Sequence, residues 1–337
     1  MPIGFSRGCR RRSSHRRSGR NSCVDLQDFH RATRLQRLKR ITRCPVVIFG
    51  IIATKGGVGK TTLSANLGAL IADMGLRVLL VDADIQASLS KYFELRFKAP
   101  IGLTEVIGSG IVTESAISQT VWDRLDIVLC DAPHRQLASD SASSDLERYL
   151  QGRMDMPMLL RRALRSPVID ENYDVVVIDT PGAQGPLLFT AALAATQLVT
   201  PVLPETPSAR EFRGGTVELL RKLGEAEILG IRPGPLTAVI NRAGRTNDAR
   251  LVMEEIRQSY LEFSGQVRVA NTVVPSAVAY NEAATARAPV HRMRSRQAFM
   301  TMHELVWELL PNLHGVYAGG ELVDSSAAAQ EAHDGCA

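Results

Sequence analysis

A doubly wound α/β fold, a mostly parallel sheet with helices on both faces, is predicted by three features of the sequence. Short β-branched runs alternate with stretches of helical period. A glycine-rich loop, Lys55-Gly56-Gly57-Val58-Gly59-Lys60-Thr61-Thr62, joins the first apolar run to the first helical stretch. Acidic residues end later runs, at Asp82, Asp84 and Asp179, where open α/β sheets gather their ligands.

Residues 1–44 read as an irregular basic arm. Residues 1–43 hold twelve Arg, one Lys and two Asp, a net +11. The whole chain is +5, so the remainder is −6, and the basic balance belongs to the arm alone. Such an arm could neutralise nucleic-acid phosphates, resemble a transit segment, or be a solvated extension left by an early translation start. A twin-arginine export signal is disfavoured, because the first apolar run after Arg17 begins only at Pro45 and leads straight into the glycine loop.

Pro45–Ala53 is predicted to be a buried strand, being far short of the ~18 apolar residues of a membrane helix. Leu63–Met74 carries Leu63, Leu67, Leu70 and Ile71 at helical spacing, with Gly75 as a stop. Arg77–Val81 is the next strand. Residues 99–121 read as loop and helices, Leu125–Leu129 as a strand, and Asp145–Leu164 as a helix broken or kinked at Pro157. Tyr173–Ile178 holds four consecutive β-branched residues and reads as a fully buried parallel strand. Leu187–Ala195 is a helix and Leu198–Leu203 a strand. Ser208 and Glu211 have the spacing of a capping box for a helix to about Leu223. Pro235–Ile240 is a strand, Asp248–Tyr260 an amphipathic helix, Val269–Val274 the last strand and Ser295–Leu310 the closing helix. The domain is expected to span residues 45–315, with residues 316–337 a small, polar, disordered tail.

Hydrophobic residues make up 45% of the chain, enough for a sizeable core. Five cysteines, Cys9, Cys23, Cys44, Cys130 and Cys336, show no CxxC pair or metal-ligand spacing. This argues for free thiols in a reducing compartment and against a structural metal or redox centre.

The glycine loop points to a nucleoside triphosphate. Gly56, Gly57 and Gly59 allow a tight bend in which successive N–H groups face one anion. The helix that follows aims its positive end at the same place. Lys60 supplies a point charge, and the Thr61 hydroxyl can ligate Mg²⁺. Asp82 and Asp84, two residues apart at a strand end, can both face the phosphates. Asp179 closes an apolar strand in the manner of a Walker B carboxylate.

Taken together, these motifs resemble the ParA/MinD family of deviant Walker A ATPases, and its ParA branch in particular. Thr54 stands where the usual loop has glycine, and Lys55 precedes the glycine pair, as in that family. Asn281-Glu282-Ala283 and Ala288-Pro289-Val290 resemble its C-terminal pattern. Two departures occur: Ile85-Gln86-Ala87 keeps only the glutamine of a Pro-Gln-Gly, and Thr180-Pro181-Gly182 replaces a Pro-Pro.

The resemblance implies a P-loop NTPase fold, ATP and Mg²⁺. It implies that Lys55 reaches a partner's phosphates across a homodimer formed on ATP. Lys60 would hold phosphates, Asp84 would polarise the attacking water, and Thr61, Asp82 and Asp179 would serve the metal. Asn241 would meet the adenine edge and the backbone at Pro275 would wall the base. A guanine-specific Asn-Lys-x-Asp is absent, since position 244 is Gly. Non-specific DNA binding would fall to Arg242, Arg245, Arg250, Arg292, Arg294 and Arg296, with a ParB-like protein stimulating slow hydrolysis. The implied setting is the cytoplasm and nucleoid, and the implied task partition of a plasmid, chromosome or mobile element. Alternatives are a MinD-like positioning ATPase, though the C-terminal residues lack a basic amphipathic helix for a membrane, and an amidoligase-type enzyme. An iron-protein reductase is disfavoured by the cysteines.

Overall fold

The computed structural model describes residues 45–131, 142–261 and 267–319. Its strands are β1 (Val47–Ile51), β2 (Val78–Asp82), β3 (Leu95–Phe97), β4 (Ser118–Thr120), β5 (Leu125–Val128), β6 (Val175–Asp179), β7 (Gln197–Val202), β8 (Leu236–Ile240) and β9 (Val267–Val269). Its helices are α1 (Lys60–Asp73), α2 (Leu103–Ser109), α3 (Ala142–Gln151), α4 (Met156–Ala163), α5 (Pro167–Asn172), α6 (Pro186–Ala194), α7 (Thr206–Glu225), α8 (Asn247–Leu261), α9 (Val278–Thr285) and α10 (Arg296–Leu309). The strands form one sheet in the order β3-β4-β5-β2-β6-β1-β7-β8-β9.

From β5 to β9 every pairing is parallel. The reason lies in the strand sequences. β2 and β6 are buried at every position, so helices must cover both faces of the sheet. Alternation along β1 divides the core. Phe49 and Ile51 pack with Leu63, Leu67 and Leu70 of α1 and with Met302 and Leu305 of α10. Ile48 and Ile52 face the opposite way, toward the apolar residues of α4 and α6. Register then sets the site. Ile51 and Asp82 both pair with Asp179, so three strand ends, and the loop leaving β1, meet at one edge of the sheet.

Several elements differ from the sequence reading. The stretch 99–121 was expected to hold only loop and helices, yet its end supplies β4, which with β3 adds an antiparallel edge. Each is three residues long, too short for alternation to register, and edge strands of this kind are partly polar. The break expected near Pro157 is present: the stretch 145–164 falls in two helices, and Pro157 sits in the first turn of the second, α4. The Ser208 and Glu211 capping box does not start α7. That helix begins at Thr206, with Pro207 in its first turn, where the fixed φ of proline is already helical. The last strand ends at Val269 rather than Val274. Beyond it the Glu308 carboxylate accepts the N–H groups of Asn271 at 2.8 Å and Thr272 at 3.0 Å, drawing the chain off the ladder.

Residues 316–319 lie against α10. The indole Nε1 of Trp307 donates to the Val316 carbonyl at 3.0 Å, and the Ala318 N–H donates to His303 Nε2 at 3.0 Å. The rest of the expected tail, and the arm over 1–44, lie outside the described residues. Among the described residues no helix is long and apolar enough to cross a membrane.

Candidate functional site

The loop between β1 and α1 is shaped by glycine where shape requires it. Gly57 and Gly59 have φ of +76° and +93°, in the left-handed region. Gly59 is also the N-cap of α1, and no side chain caps that end or places an acid in its first turn. The free N–H groups of the first turn are therefore left for an anion.

Two side chains from the end of β8 hold the loop in place. Asn241 Nδ2 donates to the Val58 carbonyl at 2.8 Å, and Arg242 Nη1 donates to the Gly57 carbonyl at 3.0 Å. Arg242 itself has φ of +53°, a costly conformation for a non-glycine residue. Tying these two carbonyls back leaves the loop amides free for the other side. Across the site, a Cβ on Gly182 would lie 2.9 Å from Gly56 Cα and 3.3 Å from Lys60 Nζ. Only glycine allows the segment after β6 to sit so close.

The charged groups converge beneath the loop. Lys60 is 6% exposed. Burial pushes its ammonium pKa down, while Asp179 and Asp84 pull it the other way. Asp179 is fully buried and accepts hydrogen bonds from Thr61 Oγ1 at 2.7 Å and Ser64 Oγ at 2.9 Å. Burial first, and Asp82 second, push Asp179 up to about 7. Asp82 is also fully buried and is pushed by burial up to about 6. It accepts from the Ser90 N–H and hydroxyl, both at 2.7 Å, and from the Asp84 N–H at 3.1 Å. Asp82 therefore shapes the segment that carries Asp84. Asp84 is half-buried and accepts from the Gln86 N–H at 3.0 Å.

Hydroxyl and carboxylate oxygens beside an anion cradle fit a small hard cation. Among the described residues no three His, Cys, Asp or Glu side chains cluster to hold a metal alone. Phosphate and water oxygens would complete such a shell, as they commonly do for Mg²⁺.

This arrangement has a consequence for stability. Carboxylates whose pKa is raised bind protons more tightly folded than unfolded. The stability from Asp82 and Asp179 is thus fullest below about pH 4 and is lost as pH rises through about 6 and 7. Asp179→Asn removes the charge while the Thr61 and Ser64 hydroxyls turn to match the amide. It is expected to raise the melting temperature of the ligand-free chain at pH 8 by about 4 °C and to weaken Mg²⁺-dependent nucleotide binding. Scanning fluorimetry with and without Mg²⁺ checks both.

A cavity of about 260 Å³ opens beside the loop, lined by Gly59, Thr62, Asn241, Pro275, Tyr280 and Met302 among others. One Asn241 N–H is taken by the Val58 carbonyl, and the side-chain oxygen and second N–H remain to meet the edge of a base. The Tyr280 hydroxyl is buried and finds no hydrogen-bond partner among the described residues.

The structure brings the loop residues, Asp82, Asp84, Asp179, Asn241 and Pro275 to one end of the sheet. Ser64, Ser90 and Tyr280 were missed in the sequence. Ser64 could have been found, because it lies one helical turn after Lys60 and so on the same face.

The six arginines do not form a single exposed set. Arg245, Arg250, Arg294 and Arg296 are exposed, and Arg242 is tied to the loop. Arg292 lies apart from them: its Nε pairs with Asp73 at 2.7 Å, with 14% of the side chain exposed, and Asp73 also meets His291 Nε2 at 2.7 Å. The pair joins the end of α1 to the segment before α10. Arg292→Ala is expected to cost about 3 kcal/mol in urea unfolding, by leaving a mostly buried carboxylate short of charge. Any DNA affinity, measured by anisotropy, is expected to stay unchanged.

Comparison with known proteins follows the same lines. A family model described as AAA domain, AAA_31, matches residues 46–224. The sporulation initiation inhibitor protein Soj of Bacillus subtilis is 30% identical over 257 residues, covering 74% of this chain and 93% of that protein. The chromosome-partitioning ATPase Soj of Thermus thermophilus is 32% identical over 235 residues, covering 68% and 81%. The chain spans about half the length, 44% to 54%, of several other curated relatives that it matches. Among solved structures, the ATP complex of a Cyanothece McdA variant aligns with a TM-score of 0.64 at 20% identity, covering 79% of this chain and 96% of that one.

Proposed function

Because the chain belongs to the ParA/MinD family of deviant Walker A ATPases, we propose that it is a Mg²⁺-ATP-dependent switch. It dimerises on ATP, binds DNA without sequence preference and hydrolyses ATP slowly. Its task is partition of a plasmid, chromosome or mobile element over the nucleoid in the cytoplasm, with a ParB-like protein stimulating turnover. The observation that carries this reading is the assembly of Lys60, Thr61, Ser64 and Asp179 beneath a glycine loop preceded by a second lysine, Lys55.

Each residue has a part in that switch. The loop amides and Lys60 hold the β- and γ-phosphates. Thr61, backed by Asp179, would hold Mg²⁺, and Asp82 supports that end of the site electrostatically. A metal held there would neutralise negative charge on the phosphate oxygens. Asp84 orients the attacking water and takes up its developing positive charge. Lys55 of a second copy neutralises charge on the transferred group. The Asn241 oxygen accepts from the adenine amino group, and the absence of an Asn-Lys-x-Asp pattern, with Gly at 244, favours ATP over GTP.

Light scattering with a non-hydrolysable ATP analogue, followed by sedimentation with non-specific DNA over a salt series, tests the reading. A dimer that forms only with the analogue and is released from DNA by salt supports it. A chain that stays monomeric and off DNA, yet turns over ATP with a small-molecule acceptor, overturns it. Asp84→Ala is expected to lower turnover at least about 10²-fold and to leave the ATP dimer standing, as read by phosphate release and light scattering. Ordinary turnover in that variant removes Asp84 from the mechanism.

A further inference from the structure

Helix α4 has one face in the core and one in solvent. Leu159, Leu160, Ala163 and Leu164 are buried. Met158 and Arg162, at i and i+4 on the helix, are exposed, and so is Arg165 in the turn that follows it. Met154, in the turn before the helix, is 98% exposed, and Met158 is 44% exposed. The Arg162 guanidinium lies against Gly110, and the next residue, Ile111, is 52% exposed. At the other end of the strip Tyr149 is 39% exposed, with its hydroxyl accepting from Arg153 at 2.9 Å.

Apolar and cationic side chains thus share one surface. Residues 148–165 contain five arginines and a single acid, Asp155, a net +4. They sit in a chain whose residues from 44 onward total −6. The lone acid is already paired with Arg153 at 2.7 Å. None of these residues belongs to the nucleotide site.

We infer that this strip, Ile111, Met154, Met158, Arg162 and Arg165 with Tyr149 at its end, docks an acidic amphipathic helix of a partner protein. Exposed methionine is unbranched and adapts to the apolar ridge of a helix. Arginine covers apolar surface with its stem while its head meets a carboxylate. A nucleic-acid backbone would use the arginines and gain nothing from desolvating Met154, Met158 and Ile111. Charge complementarity selects an acidic helix over a basic one.

Two synthetic helical peptides of ~18 residues test this on the full chain. Both carry the same leucine-rich apolar face, with glutamate on the polar face of one and lysine on that of the other. Fluorescence anisotropy at physiological salt is expected to show the glutamate peptide binding at least about tenfold more tightly. Arg162→Glu with Arg165→Glu is expected to abolish or reverse that preference. Met154→Ser with Met158→Ser is expected to weaken the glutamate peptide about tenfold with no change in melting temperature, and it keeps the test valid if charge reversal unfolds the chain. Equal binding of the two peptides, or none, overturns the inference. So does a DNA duplex that is bound through Arg162 and Arg165 and is indifferent to the methionines.

Discussion

Lys60→Ala is expected to reduce ATP affinity and turnover by about 10²- to 10³-fold, the effect of deleting one preorganised electrostatic partner from a water-poor site. Charge balance sets the size of the effect. Lys60 is nearly buried and faces Asp179 and Asp84, with Asp82 aligned beside Asp179 across the sheet. Without the ammonium, the cradle presents carboxylates to a triphosphate and repels what it was built to hold. Arginine is not expected to rescue the loss, because the segment at Gly182 closes over the amine and leaves no room for a planar fork. Binding of a fluorescent ATP analogue and release of phosphate measure the two effects separately. Wild-type affinity in Lys60→Ala would contradict the placement of the phosphates.

Lys55→Ala is expected to act through a different step. ATP-driven dimerisation should be lost and hydrolysis should fall about 10³-fold, the lower end of what an in-trans cation contributes. Binding of ATP to the single chain should survive. The structure gives a reason to expect this separation. Lys55 contributes its backbone carbonyl to the local site, accepting from Lys60 Nζ at 3.4 Å, and alanine keeps that carbonyl. Light scattering reports the dimer, and analogue binding reports the monomer site. A variant that still dimerises on ATP would remove Lys55 from the interface. Loss of both dimer and monomer binding would make it one more residue of its own loop.

The parts of the fold legible in the sequence were those whose physics is local and repeated. β1, β2 and β6 read clearly because a strand buried on both faces is a continuous apolar run, ended by the glycine loop after β1 and by an acid in β2 and β6. The glycine loop read clearly because few other functions need three glycines and two lysines in eight positions. What escaped depends on contacts distant in sequence. β3 and β4 exist because each finds an edge to pair with. The chain after β9 leaves the ladder because Glu308, far along α10, captures its N–H groups. Arg292 resembled its exposed neighbours Arg294 and Arg296 until Asp73, on the far end of α1, was placed against it. The link from Asn241 and Arg242 to the loop carbonyls spans more than 180 residues and has no local signature.

The contact at Gly182 has a mechanical consequence. Two backbones lie side by side there with no side chain between them as a cushion, so neither can shift without pushing the other. Any shift of the loop must therefore carry Pro181 and Gly182 with it. A larger residue at 182 would have to push the Gly56 backbone aside or swing away from it, reshaping the mouth of the cradle before any ligand arrived.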